Sequence, residues 1–140
     1  MQSGKNFPPY MKDVILPEGV HEEEIKVYRI CKTGKVESDS FLTTYIEYQN
    51  MGILDTLNLD DVGSYGMSCF YKKKDAKNML ALFTKRNPRA IASKGITACE
   101  CGPIQRTNER KKTSKSHVDW WLYEGAKPYL FFEEVIIYGL

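Results

Sequence analysis

Apolar and polar positions along this chain repeat with two different periods, and each period predicts a different element. In IKVYRIC, residues 25–31, Ile25, Val27, Arg29 and Cys31 alternate with Lys26, Tyr28 and Ile30. A period of two in β-branched and aromatic residues predicts a strand. The turn KTGK, 32–35, sets a glycine where positive φ is tolerated and predicts that the next segment returns against that strand. SFLTTYIEYQ, 40–49, rich in Thr, Tyr and Ile, reads as the returning strand, and YGMSCFY, 65–71, as a compact apolar one. The period then changes. In KKKDAKNMLALFTKRNP, 72–88, Ala76, Met79, Leu80 and Phe83 recur at spacings of three and four among lysines, with Asn87 and Pro88 as a stop. That pattern predicts one helix over about 72–87.

Further along, RAIASKGITACEC, 89–101, reads as a strand broken near Gly95, and HVDWWLY, 117–123, and YLFFEEVIIYG, 129–139, as two more. NMGILDTLNLDDVGS, 50–64, mixes leucines at helical spacing with Asp and Gly and is compatible with a short helix or a loop. Residues 1–19 form a proline-containing lead-in biased to extended and turn geometry. Many strands, one strong helix, and neither repeat nor linker predict a single α+β domain over 1–140 with a mainly antiparallel sheet.

Composition narrows the class. At 140 residues, 42% hydrophobic and 27% charged, the chain matches one ordinary domain with its own core and excludes a disordered or fibrous chain. The amino terminus lacks the apolar run of a signal peptide, and no stretch nears the roughly twenty apolar residues of a membrane span. A soluble, cytoplasmic protein with no membrane partner is expected, and Cys31, Cys69, Cys99 and Cys101 fit that compartment as reduced thiols. CEC, 99–101, is at most half a zinc site, so no metal is assigned. There is no GxSxG, no HExxH and no phosphate-binding loop.

The formal charge of +2 is too small to declare a nucleic-acid binder, so electrostatics must act locally. It does so in QRTNERKKTSKS, 105–116, where Arg106, Arg110, Lys111, Lys112 and Lys115 face a single acid, Glu109. This basic loop runs straight into SHVDWWLY, 116–123. On a strand, alternation puts Val118, Trp120 and Leu122 on a core face and His117, Asp119, Trp121 and Tyr123 on the other. The second face joins rings to stack on with groups to hydrogen-bond, as a cleft does. His117 and Asp119 lie about 6–7 Å apart along such a strand, near enough to hold one ligand or to share acid–base work. A phosphate-bearing ligand would take cationic donors from Arg106 or Arg110 and a platform from Trp121.

A strand carrying arginine, VYRICKTGK, then SFLTT, then YGMSCFYKKKDAKNMLALF, spanning residues 25–85, resembles the opening layout of the ADP-ribosyltransferase-like superfamily. The resemblance implies an Arg or His on the first strand, a Ser/Thr-containing strand next to it, and a later Glu that activates the nicotinamide ribose of NAD. By that likeness Arg29 contacts the dinucleotide, and Thr43, Thr44 or Ser68 is the hydroxyl position. No ExE motif follows, and Glu100, Glu133 and Glu134 are the carboxylates on offer.

Two readings result. In the first, the chain is a small binding protein without a cofactor. It engages nucleic acid or an acidic protein surface through loop 105–116 and the adjacent aromatic face, in the style of phage or mobile-element accessory and inhibitor proteins. In the second, it is an ADP-ribosyltransferase-like domain that binds NAD or a related nucleotide. A concave pocket lined by His117, Asp119 and Trp121 with Arg29 opposite favours the second; an open face beside the basic loop favours the first.

Overall fold

In the computed structural model, which describes residues 5–113 and 115–137, six strands form one antiparallel sheet. They are β1 (Lys26–Cys31), β2 (Met67–Phe70), β3 (Ile91–Ile96), β4 (Ile104–Arg106), β5 (His117–Trp120) and β6 (Phe132–Val135), in the order β4-β5-β2-β1-β3-β6. Two helices accompany them, α1 (Thr44–Asn50) and α2 (Lys73–Thr84). The chain is thus the α+β domain its periodicities predict. No helix among the described residues is long and apolar enough to cross a membrane. The first four positions of the lead-in, residue 114 of the basic loop and the end of the 129–139 segment lie outside the described residues.

Alternation along the strands builds a core on each face. Val27, Cys31, Met67, Cys69, Ile104, Val118 and Trp120 pack on one side. On the other, Ile30, Phe70 and Ala92 meet the apolar stripe of α2, with Ala76 buried and Met79, Leu80 and Phe83 packed against it. The four cysteines are free thiols, and burial pushes Cys69 up to about 12 and Cys101 up to about 11. The edge strand β4 is covered by the end of the lead-in and the residues just after it: His21 N–H donates to the Ile104 carbonyl at 3.2 Å, and the Gln105 side chain donates to the Glu18 carbonyl at 3.1 Å.

Four expectations are corrected. Residues 40–49 are not a strand, because Thr43 caps a helix: its Oγ1 accepts from the Ile46 N–H at 3.4 Å, and α1 starts at the next residue. A capping hydroxyl here outweighs the β-propensity of Thr, Tyr and Ile. With no strand there, β1 takes β3 as its long partner, register Lys26↔Ile96 to Cys31↔Ile91, and meets β2 at Tyr28↔Phe70. Gly95 does not break β3; it clears room for Phe132, whose ring a side chain at 95 would strike. The basic loop opens as strand β4 and a 3-10 turn, Thr107–Glu109. The last two predicted strands are shorter than 117–123 and 129–139, and the 50–64 segment holds two 3-10 turns, Leu54–Thr56 and Val62–Tyr65.

Candidate functional site

Strands β2 and β5 lie side by side with Ser68 opposite Asp119 and Phe70 opposite His117. On the far side of β5, Gln105 of β4 also faces Asp119. Paired residues of antiparallel strands share a face, so the register alone gathers a serine, a histidine and a carboxylate. The Thr107–Glu109 turn then carries Thr107 over β5, and the 3-10 turn Val62–Tyr65 brings Asp61, Gly63 and Ser64 from the other direction. Together these elements line an open cleft of about 400 Å³ whose walls include Thr44, Asp61, Gly63, Ser64, Ser68, Thr107, Arg110, Lys111, Lys112, Thr113, His117 and Asp119.

Its hydrogen bonds run in one direction. The Thr107 hydroxyl donates to Asp119 Oδ2 at 2.8 Å and is also bonded to His117 Nδ1. A carboxylate only accepts, so the Thr107 proton goes to Asp119 and the imidazole must donate from Nδ1 to Thr107. A neutral imidazole then has a bare Nε2, which lies 2.8 Å from Ser68 Oγ and accepts its proton. Burial holds His117 below its ordinary value despite the nearby Asp119 carboxylate, consistent with a neutral ring. The edge of Phe70 packs at 5.6 Å between ring centroids and helps fix the ring plane.

The cations are largely answered by carboxylates. Arg110 Nη1 donates to Gln105 Oε1 at 2.9 Å. Its Nη2 lies 2.9 Å from Asp119 Oδ2, close enough for strong attraction, but its N–H directions miss the oxygen, and this buried nitrogen makes no hydrogen bond. Lys111 sits 3.4 Å from Asp61. Burial works to raise Asp61, yet the Gly63 N–H and the Lys111 ammonium outweigh it and lower its pKa. Arg106 turns away from the cavity to pair with Glu23 at 3.1 Å. Lys115 also lies apart, where Ser116 N–H donates to Asp75 in the first turn of α2 at 2.7 Å.

A second cavity of about 250 Å³ adjoins the first, and Thr44, Ser68 and His117 belong to both walls. This one is apolar and aromatic on one side, with Ile30, Tyr48, Phe70, Met79 and Phe83, and carries Arg29, Lys32 and Glu47 on the other. Arg29 is 5% exposed and is committed to the protein. It donates from Nε to the Ser40 carbonyl (3.1 Å), from Nη1 to the Ser68 carbonyl (2.9 Å), and from Nη2 to the Leu42 carbonyl and Glu47 Oε2 (3.3 Å each).

Of the residues predicted for a site, Thr44, Ser68, His117, Asp119, Arg110, Lys111 and Lys112 meet at one cavity, and Arg29 lines its neighbour. Trp121 does not. β5 ends at Trp120, so alternation stops there; Trp121 is 0% exposed, donates to the Val62 carbonyl at 3.0 Å and lies under the Arg110 guanidinium. It is a floor for Arg110 and no platform for a ligand. Tyr123 points elsewhere, its hydroxyl donating to Glu22 at 2.6 Å and its ring against Phe7. Thr43 is spent as a helix cap and bonds the Tyr10 hydroxyl at 2.9 Å. Thr107, Asp61 and Ser64 were not foreseen: they come from turns that only the fold brings over β5. Compared with family models, curated proteins and solved structures, the chain matches none.

Proposed function

We propose that the chain binds a nucleotide-class ligand, NAD or a related nucleotide, across the two joined cavities. The observation that carries this reading is their shared wall. A hydroxyl-rich, cationic cavity and an apolar, aromatic one have Thr44, Ser68 and His117 in common, so one ligand with an anionic part and a flat apolar part spans both. Arg110 supports it from the anionic end: its guanidinium lines the cavity and, besides its ion pair with Asp119 at 2.9 Å, has N–H groups of the kind that bind phosphate oxygens. Lys112 adds a cation there, and Phe70 and Tyr48 supply rings at the other end. Of the three hydroxyls that the family resemblance singles out, Ser68 is the one on a strand beside β1, and Arg29 grips its carbonyl.

The reading stops at binding. Glu100, Glu133 and Glu134 line neither cavity, so the carboxylate that a ribosyl transfer requires is not drawn from them. A polyanion on an open face draws less support, since Arg106 turns away to pair with Glu23 and Trp121 is buried and offers no stacking surface. Thermal-shift titration tests the proposal, with NAD and mononucleotides against inorganic phosphate. A ligand present at 100 times its Kd stabilises by about 2.7 kcal/mol, and Lys112→Ala with Arg110→Ala should abolish the rise in melting temperature. An unchanged melting temperature at millimolar nucleotide refutes it, and tight binding of duplex or single-stranded nucleic acid with a steep salt dependence would restore the open-face reading.

A further inference from the structure

The direction of the hydrogen bonds around His117 says more than that a ligand fits. Ser68 Oγ–H points at a bare imidazole nitrogen, the opposite imidazole N–H points at Thr107, and Thr107 points at Asp119. Asp119 is 3% exposed and faces Arg110, so the end of the chain is anchored in the protein. Ser68 itself is half-buried and in the walls of both cavities. A hydroxyl on a base, with the base oriented by a third group, is the arrangement that turns an alcohol into a nucleophile. Here a threonine hydroxyl is inserted where a direct imidazole–carboxylate bond is usual; the direct His117 Nδ1–Asp119 Oδ1 separation is 3.8 Å.

The surroundings select the electrophile. Attack on a carboxylic ester or amide is favoured by hydrogen-bond donors, commonly backbone N–H groups, free to receive an oxyanion. The loop facing Ser68 has none to give from Gly63 or Ser64: the first donates to the Asp61 side chain at 2.9 Å and the second to the Asp61 carbonyl at 2.9 Å. What the cavity offers is Lys112 together with Arg110 and Lys111, which are paired to Asp119 and Asp61 in its wall, side-chain cations suited to non-bridging phosphate oxygens.

We infer that Ser68 is a catalytic nucleophile whose base is His117, and that it attacks the phosphorus of a phosphate ester held by Arg110, Lys111 and Lys112. Ser68 Oγ forms a bond to phosphorus as the bond to the leaving oxygen breaks. The Ser68 proton passes to His117 Nε2 and from there to the leaving alkoxide, releasing an alcohol. Water then attacks the phosphoserine and gives a proton to His117. The phosphorus–Ser68 bond breaks, that proton returns to Ser68 Oγ, and phosphate leaves. Ester and water become alcohol and phosphate with no other reactant. Thr107 and Asp119 act as positioning residues, holding the ring in the tautomer that leaves Nε2 bare. The inference rests on the same cavity as the ligand reading but not on a nucleotide filling it.

The test uses an alkyl fluorophosphonate, which forms a serine–phosphorus bond with loss of fluoride, followed by intact-mass and peptide analysis of the full chain. The expected result is one adduct, on Ser68, that forms about 100-fold faster than adducts on the urea-unfolded chain. Ser68→Ala should remove it, and His117→Gln should slow it by a similar factor. Thr107→Val, which keeps the shape and deletes the hydroxyl, should slow it about tenfold, and it supplies the comparison should His117→Gln unfold. In parallel, p-nitrophenyl phosphate should be hydrolysed by the wild type and not by Ser68→Ala. No adduct on Ser68, or one whose rate ignores both His117→Gln and Thr107→Val, overturns the nucleophile. A His117-dependent adduct without p-nitrophenol release overturns the phosphate-ester class. Because labelling needs no nucleotide, Ser68 labelling with no nucleotide-induced melting shift removes only the ligand reading. A melting shift without labelling removes only this one.

Discussion

Replacing Arg29 by methionine should remove a large share of the stability, because its guanidinium stitches three segments together. It joins β1 to the carbonyls of Ser40 and Leu42, to the carbonyl of Ser68 on β2, and to Glu47 on α1. Four hydrogen bonds from a charged donor, at about 1.5 kcal/mol each, amount to about 6 kcal/mol. Burying the methionine side chain in its place returns about 2 kcal/mol. The net loss is about 4 kcal/mol, in line with the roughly 3–5 kcal/mol for breaking a buried ion pair. It is a large part of the about 5–15 kcal/mol that holds a domain folded. Lys32, which bonds Glu47 at 3.0 Å, keeps that carboxylate from being left alone and keeps the loss from growing further. In urea unfolding, with a slope near 2 kcal/mol per molar, the midpoint should fall by about 2 M at unchanged slope. Arg29→Lys keeps the charge but cannot fork to four acceptors, so it should recover less than half. A loss below about 1 kcal/mol for Arg29→Met would show that the guanidinium is not the clasp, and would free it for a ligand.

Two further outcomes are expected. Burial depresses His117 in the folded chain below its ordinary 6.5, so the unfolded chain binds the proton more readily; its contribution is intact above about pH 6.5 and is lost as pH falls through the lowered folded value. The groups acting on the ring are Asp119, Lys111, Arg110 and Arg29, and exposed His21, raised by the Gly19 carbonyl, works in the opposite sense. The urea midpoint of wild type minus that of His117→Gln should therefore fall between pH 7.5 and pH 5, and a flat difference would contradict a buried neutral ring. Gly102→Ala should cost several kcal/mol, roughly 3 or more: Gly102 has φ 141°, any side chain there collides with the Trp121 carbonyl, and its own carbonyl accepts from Trp120 Nε1 at 3.1 Å. A melting temperature within a degree or two of wild type would contradict that packing.

The readable parts of this protein are those where one local rule acts without competition. Alternation in 25–31 places β1, and the 3–4 spacing of Ala76, Met79, Leu80 and Phe83 places α2 to within one residue at its start and three at its end. Alternation also separates Trp120 from His117 and Asp119 correctly for as long as the strand lasts. It fails at Trp121, since strand length depends on what pairs with it: β2 offers partners only from His117 to Trp120. It fails again at 40–49, where the Thr43 cap competes with a β-rich composition and wins.

The candidate site divides the same way. Having His117 two residues from Asp119, beside a basic run, is a property of the chain, and it marks one wall of the cavity. That Ser68 stands opposite Asp119, that Thr107 relays between imidazole and carboxylate, and that Arg110 covers Trp121 are consequences of the β2–β5 register and two 3-10 turns. Local order alone was enough for the first strand and the long helix, because side-chain period is a property of neighbouring residues. Tertiary structure decided the chemistry. A proton's direction depends on partners far apart in the chain, here 49 residues between Ser68 and His117.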